Sequence, residues 1–406
     1  MKKVLCIALA LVMVLGLAAC GGTTQPTETK QPDPTKTPAT EQPSGGSETP
    51  TPAEPTVTKA DLGIEPLIPD GETILDYSNS EWATVTDLLD ILTDEDLENV
   101  KSQNLTAVVC MHENASYWSQ AFIAGITSVF EKLNIEILSV TDAGFAVESM
   151  ITNVENAVSL KPDLMIVYVL DSGAMQSCVQ SAIDAGIKVV YYEAAVDGTE
   201  HGTDYIGTVV ADNYTISYTC MRLMIEKGGM GQYAICNIDA SVTDENSRTV
   251  QRLRGAQAAA KDAGVEVIDS FTTGATPDTG TAVGEAIVMA YPDILGIWGG
   301  FDELGIALGN GANALGFHVL CTGPDMMDAS AYSMATDGAF AGCGTQSSFE
   351  SGLACAIAAV IGAAGKDCPE RINTPCIVAT KENLKEAWEL SFRMELPSEV
   401  AAALAK

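Results

Sequence analysis

The sequence predicts an α/β protein built as two doubly wound lobes with parallel sheets. Three observations lead there. From Asn104 to about Thr322, short apolar runs rich in β-branched residues alternate with runs of helical period. The apolar runs are continuous rather than alternating, as in strands covered on both faces. About ten such strands fall within roughly 290 residues, too many for one modest sheet.

The elements follow in order. The first strand is 106–111, and helix 116–133 carries Phe122, Ile126, Val129, Phe130 and Leu133 on one stripe. Strand 135–140 leads into helix 146–159, strand 164–170 into helix 173–185, and strand 187–192 completes the series. A second series opens with strand 204–209 and helix 212–227. Strands 232–238, 265–270, 294–299 and 317–322 then alternate with helices 244–263, 279–290 and 303–315. One more strand is expected at 339–344.

Three segments precede this body. Lys2 and Lys3 open an apolar run that closes Leu17-Ala18-Ala19-Cys20, the layout of a secretory signal. The run is shorter than the ~20 apolar residues of a membrane span. Its ending resembles a bacterial lipobox, which implies cleavage of 1–19 and a lipid on the Cys20 sulfur. Residues 20–59 then read as a tether, with eight prolines and a single valine in 21–59. Residues 60–103 read as a helical spacer packed on the main body. Leu88, Leu89 and Leu92 mark one helix there, and Thr93 with Asp96 caps another. The expected place is the extracellular face of a membrane, or the periplasm where the envelope has an outer membrane.

Composition narrows the partners. The formal charge is −33, and loss of 1–19 removes two lysines and no acid. Such a chain repels nucleic acid and anionic headgroups. Eleven cysteines are present; Cys6 belongs to the signal and Cys20 to the anchor. No CxxC pair occurs, and most of the rest sit in apolar segments where a thiol acts as a small hydrophobe. Cys368 and Cys376 flank a loop, and whether they bridge stays open.

Ligands of open parallel sheets bind beyond the carboxyl ends of strands. That rule selects the loop from His112 to Trp118, Tyr168 to Asp171, Glu193, Phe301 and Asp302, Asp325, and Gln346. Rings with a few acids and amides suit a polyhydroxylated ligand, because rings cover its apolar faces and polar groups hold its hydroxyls. Plainer roles compete: Tyr117 and Trp118 as core aromatics, Asp171 and Asp302 as helix caps, Arg252 and Arg254 as solvated charges. No GxSxG, HExxH, P-loop or GxGxxG signature occurs, so no catalysis is expected. The histidines, His112, His201 and His318, are too scattered to suggest a metal site. No cofactor is expected.

From Asn104 to Trp388 the chain resembles type I periplasmic binding proteins, the ribose-binding-like components of sugar ABC importers. The resemblance rests on ordered segments. They are Val108–His112 with Tyr117-Trp118, Lys161–Val167, Ala185–Val190, Ala211-Asp212-Asn213, Arg252–Gly255, Tyr291–Trp298, Asp302–Gly305 and Thr380–Leu384. It implies two lobes joined by three crossings, 104–193 with 347–376 and 194–346 with 377–395. It implies ligand contacts from His112, Tyr117, Trp118, Tyr168, Glu193, Arg252, Phe301, Asp302, Asp325 and Gln346. It also implies a monomer that delivers a sugar or polyol to permease subunits.

The chain departs from ribose binders in having Ala194 in place of an arginine, Phe301 in place of an asparagine, and no aromatic near Thr276. Those losses put ribose itself in doubt. A sensory binding protein, a nucleoside or furanosyl binder, and an extracellular carbohydrate enzyme remain alternatives. A repressor is disfavoured, since the chain opens on a signal rather than a basic helix-turn-helix.

Overall fold

The computed structural model describes residues 57–76, 83–238, 247–273 and 277–406. The signal, Cys20, nearly all of the tether, Thr276 and the first residues of the helix expected at 244–263 lie outside the described residues.

The spacer opens with a 3-10 turn, Ala60–Leu62, and strand β1, Ile74–Leu75. Helices α1, Val85–Ile91, and α2, Asp94–Ser102, follow. Each begins at a reciprocal capping box, Thr84 with Asp87 and Thr93 with Asp96.

The first lobe then runs β2 (Thr106–Met111), α3 (Tyr117–Phe130), β3 (Glu136–Asp142), α4 (Val147–Ser159), β4 (Leu164–Tyr168), α5 (Gln176–Asp184), β5 (Lys188–Tyr192) and β6 (Thr208–Ala211). The second runs α6 (Asn213–Gly228), β7 (Gln232–Asn237), α7 (Arg248–Ala263), β8 (Glu266–Thr272), α8 (Pro277–Ala290), β9 (Gly296–Gly299), α9 (Asp302–Ala314), β10 (Leu320–Thr322), α10 (Asp328–Ala335) and β11 (Cys343–Gln346). The chain returns to the first lobe as α11 (Ser348–Ala363) and β12 (Arg371–Thr374), and ends in β13 (Cys376–Ala379), α12 (Leu384–Phe392) and α13 (Ser398–Leu404).

The first sheet has the order β12-β6-β5-β4-β2-β3 and the second β10-β9-β7-β8, and every pairing in both is parallel. All of β4 and β6 are buried, which accounts for their unbroken apolar runs. The edge strand β3 of the first sheet has only exposed and half-buried residues. Helix α11 is buried on nearly every side and crosses α3 at Gly125 and Gly352. A Cβ at Gly352 would lie 2.0 Å from the Phe122 carbonyl oxygen, so the two backbones touch there.

A third sheet, β1-β13-β11, is antiparallel and joins the lobes. The three crossings run side by side. The Asp212 N–H donates to the Thr374 carbonyl at 3.1 Å, and the Ser347 hydroxyl to the Pro375 carbonyl at 3.1 Å.

This arrangement corrects two expected boundaries. The strand expected at 204–209 lies at 208–211 and belongs to the first sheet, where Tyr191 and Tyr192 pair with Thr208 and Val209. The first crossing therefore follows Ala211 rather than Glu193. The third falls at Pro375, because β12 closes the first sheet and β13 belongs to the joining one. The segment 60–103 is also more than a helical spacer, since β1 adds a strand to the joining sheet. Cys368 and Cys376 are both free and buried, not bridged.

Candidate ligand cleft

The carboxyl ends of β2, β4, β9, β10 and β11 converge on a cavity of about 470 Å3 between the lobes. The first lobe contributes a wall of rings. His112 stacks on Tyr168 with centroids 4.0 Å apart, and meets the edges of Trp118 at 5.2 Å and Phe145 at 5.1 Å. Burial among these rings pushes the His112 imidazole down to about 4, against the pull of Glu113, so the ring is neutral at pH 7. Its Nδ1 has no hydrogen-bond partner.

Trp118 begins the link to the other lobe. Its Nε1–H and the Tyr192 hydroxyl both donate to Gln346 Oε1, at 3.1 and 2.8 Å. Gln346 Nε2 donates to Asp325 Oδ1 at 2.7 Å. Arg252 completes the row, with Nη2 2.9 Å from Asp325 Oδ2, Nε donating to Asn213 Oδ1 at 2.8 Å and Nη1 to the Gly300 carbonyl at 3.1 Å. These bonds hold the side chains of the row in place, which lowers the ordering cost of binding.

Two acids on the lining serve the protein instead. Burial works against ionisation of Glu113, but hydrogen bonds from Ser116, Ser119 and the loop N–H groups hold its carboxyl low. That carboxylate staples the turn that opens α3. Asp302 accepts from the Glu303 and Met327 N–H groups at 2.8 Å and from the Ser330 hydroxyl at 2.6 Å. Burial pushes its carboxyl up to about 7. It braces the start of α10, a different capping role from the one expected on its own helix. Asp171 does not cap α5, whose N-cap is Met175; it accepts from the Ala174 N–H in the turn that precedes the helix.

The structure brings His112, Trp118, Tyr168, Arg252, Phe301, Asp302, Asp325 and Gln346 together on the lining. Tyr117 is elsewhere. One helical residue from Trp118, it turns about 100° away and packs on Trp388 and Phe392 of α12. Glu193 is buried behind the lining rather than on it, with Arg248 Nη1 3.8 Å from its Oε1. Both Glu193 and Asp325 have left-handed φ, +75° and +77°, which re-aims each acid at its strand end.

Phe145 and Arg248 line the cleft without having been anticipated. Arg248 stands four residues before Arg252 on one helix face, a spacing visible in the sequence. Phe145 follows β3, a strand end to which the same loop rule applies. It is 68% exposed, at φ +61°, with its N–H bonded to the His112 carbonyl. Among the described residues no group of His, Cys, Asp and Glu could hold a metal, and no helix is long and apolar enough to cross a membrane.

Residues 107–367 match the family model described as "Periplasmic binding protein domain". No curated sequence matches the chain. The fold is similar to that of an ABC transporter solute-binding protein from Actinobacillus succinogenes 130z with bound D-allose. That pair is 22% identical over 70% of this chain and 99% of the other, with a TM-score of 0.59. A protein from Agrobacterium vitis with bound D-fucose is 21% identical over 70% and 99%, with a TM-score of 0.58. A second from Agrobacterium vitis, with bound α-D-tagatopyranose, is 18% identical over 71% and 99%, with a TM-score of 0.62. At such identities the likeness is one of fold, whereas the family match spans well over half of the chain. Fold, cleft and family model agree: the chain belongs to the type I periplasmic binding proteins, a family of solute-binding proteins and not of enzymes.

Proposed function

We propose that this chain is a lipid-anchored solute-binding protein that captures a neutral sugar or polyol between its lobes and delivers it to the permease of an ABC importer. The observation that carries the reading is the cleft itself. Rings from one lobe face an arginine, acid and amide row from the other across about 470 Å3, within the usual size of a small-molecule site. Stacking would cover the apolar face of a pyranose or furanose, and Asp325, Arg252 and Gln346 would hold its hydroxyls. Structural neighbours carrying D-allose, D-fucose and α-D-tagatopyranose support the ligand class. Delivery follows from hinge closure: a ligand that contacts both lobes favours the closed form by its differential affinity for it. The Leu-Ala-Ala-Cys ending supports anchoring through Cys20, at the outer face of the cell membrane.

Thermal unfolding of residues 57–406 tests the ligand, against D-allose, D-fucose, D-tagatose, pentoses, polyols, oligosaccharides and nucleosides. A sugar at about 100 times its Kd adds about 2.7 kcal/mol and raises Tm visibly. Shifts with nucleosides alone, or with nothing, would overturn the sugar reading. Cys20→Ser tests the anchor: the protein should leave the membrane fraction, and retention there would contradict it.

A further inference from the structure

The geometry points to Arg248 as a specificity-determining latch. Its guanidinium ties the lobes together without a ligand and, with Glu193, reads one ligand hydroxyl that enters between them. The ligand-bound half of this inference rests on the sugar reading, and the ligand-free half does not.

Helix α7 carries Arg248 and Arg252 one turn apart, but their surroundings differ. Arg252 is buried and bonds within its own lobe, to Asn213, Gly300 and Asp325. Arg248 crosses the cleft. Its Nη1 donates to the Tyr168 hydroxyl at 2.8 Å, at the end of β4, and lies 3.8 Å from Glu193 Oε1, just beyond β5. Arg248 is also the first residue of its helix, and no acid occupies that turn. A cation there opposes the helix dipole, so the local sequence gives no stabilising reason for it. The favourable charges come from elsewhere, Glu193 in the facing lobe and Asp325 beside the cleft.

The contact with Glu193 is incomplete. A charge-assisted N–H···O bond spans about 2.7–2.9 Å, and 3.8 Å falls short of one. Both carboxylate oxygens of Glu193 are buried and accept no hydrogen bond. A buried acceptor left in that state is costly, and the left-handed backbone at Glu193 adds strain. A single hydroxyl resolves the mismatch. It donates its hydrogen to Glu193 and accepts one from Arg248. The arginine side chain is 42% exposed against 7% for the glutamate, so Arg248 is the member free to move aside. A ligand lacking that hydroxyl would leave Glu193 unpaired, and such sites discriminate strongly against the missing group.

The test compares the wild type with Arg248→Ala, Glu193→Gln and the double variant. Small-angle scattering without ligand reads the latch. The radius of gyration should rise in Arg248→Ala, and superimposable curves would overturn the ligand-free half. The panel sugar with the largest thermal shift, with its monodeoxy analogues, reads specificity. One analogue should bind the wild type at least about tenfold more weakly, and both single variants should lose that preference. Preference retained in Arg248→Ala would overturn the ligand-bound half. A lower Tm with neither change would mark Arg248 as merely structural and overturn both. If the wild type binds no sugar of the panel, the sugar reading fails, and the scattering comparison still decides the latch.

Discussion

Acids in this chain divide by who fills their oxygens. Glu113 and Asp302 line the cleft, yet serine hydroxyls and backbone N–H groups occupy both carboxylates. Asp325 is held by Arg252 and Gln346, and Glu193 accepts nothing. Glu350, on α11 near the hinge, is half-filled. Its Oε1 accepts from the Leu67 N–H at 3.1 Å, which ties the 60–76 segment to the first lobe, while Oε2 is buried without a partner. Burial pushes this carboxyl up from 4.5 to about 7, against the pull of the Leu67 N–H and then of Arg393. A carboxyl raised on folding gives stability that is full below pH 4.5 and lost as pH rises through 7. Glu350→Gln keeps the acceptor for Leu67 and removes the titration. Urea unfolding at pH 5 and pH 7.5 should show the wild type losing on the order of 2 kcal/mol relative to the variant. Equal losses in the two proteins would refute a raised carboxyl.

At the scale of elements, legibility follows how locally an element is determined. The strands of the two main sheets were readable because burial on both faces requires an unbroken apolar run, as in Leu164–Tyr168. Which sheet a strand joins is not local. Thr208–Ala211 reads as a strand in any context, and only its pairing with Tyr191 and with β12 puts it in the first lobe. The joining strands are four residues or fewer: β11, expected at 339–344, lies at Cys343–Gln346, and the two-residue β1 is too short to carry a pattern. Eight of the ten expected site residues line the cleft; the strand-end rule selects seven of them, and the eighth, Arg252 on α7, comes from the family resemblance. Tyr117 failed on helical phase, which turns neighbours to different faces. Glu193 lies behind the lining rather than on it, since Arg248 from the other lobe covers it.

For the whole molecule, the cysteines ask what holds the fold together. All nine from Cys110 to Cys376 are free and buried, and they are spread over both lobes and the joining sheet. Burial pushes the thiols of Cys110, Cys220, Cys236, Cys321 and Cys368 up to about 12, and those of Cys343, Cys355 and Cys376 well above the ordinary range. The thiolate is the reactive form, so these sulfurs are inert while the fold is closed. Secreted domains too small for a sufficient core lean on disulfides. Here two covered sheets supply the core, and Cys220 and Cys355 sit in it as small apolar side chains. Residues 57–406 should therefore react with a thiol reagent only on unfolding, releasing all nine groups, and the urea midpoint should be the same with and without a reductant. A midpoint that falls in reductant would reveal a stabilising disulfide, and fast labelling of the native protein would reveal an open thiol. Either result would mean that packing alone does not carry the fold.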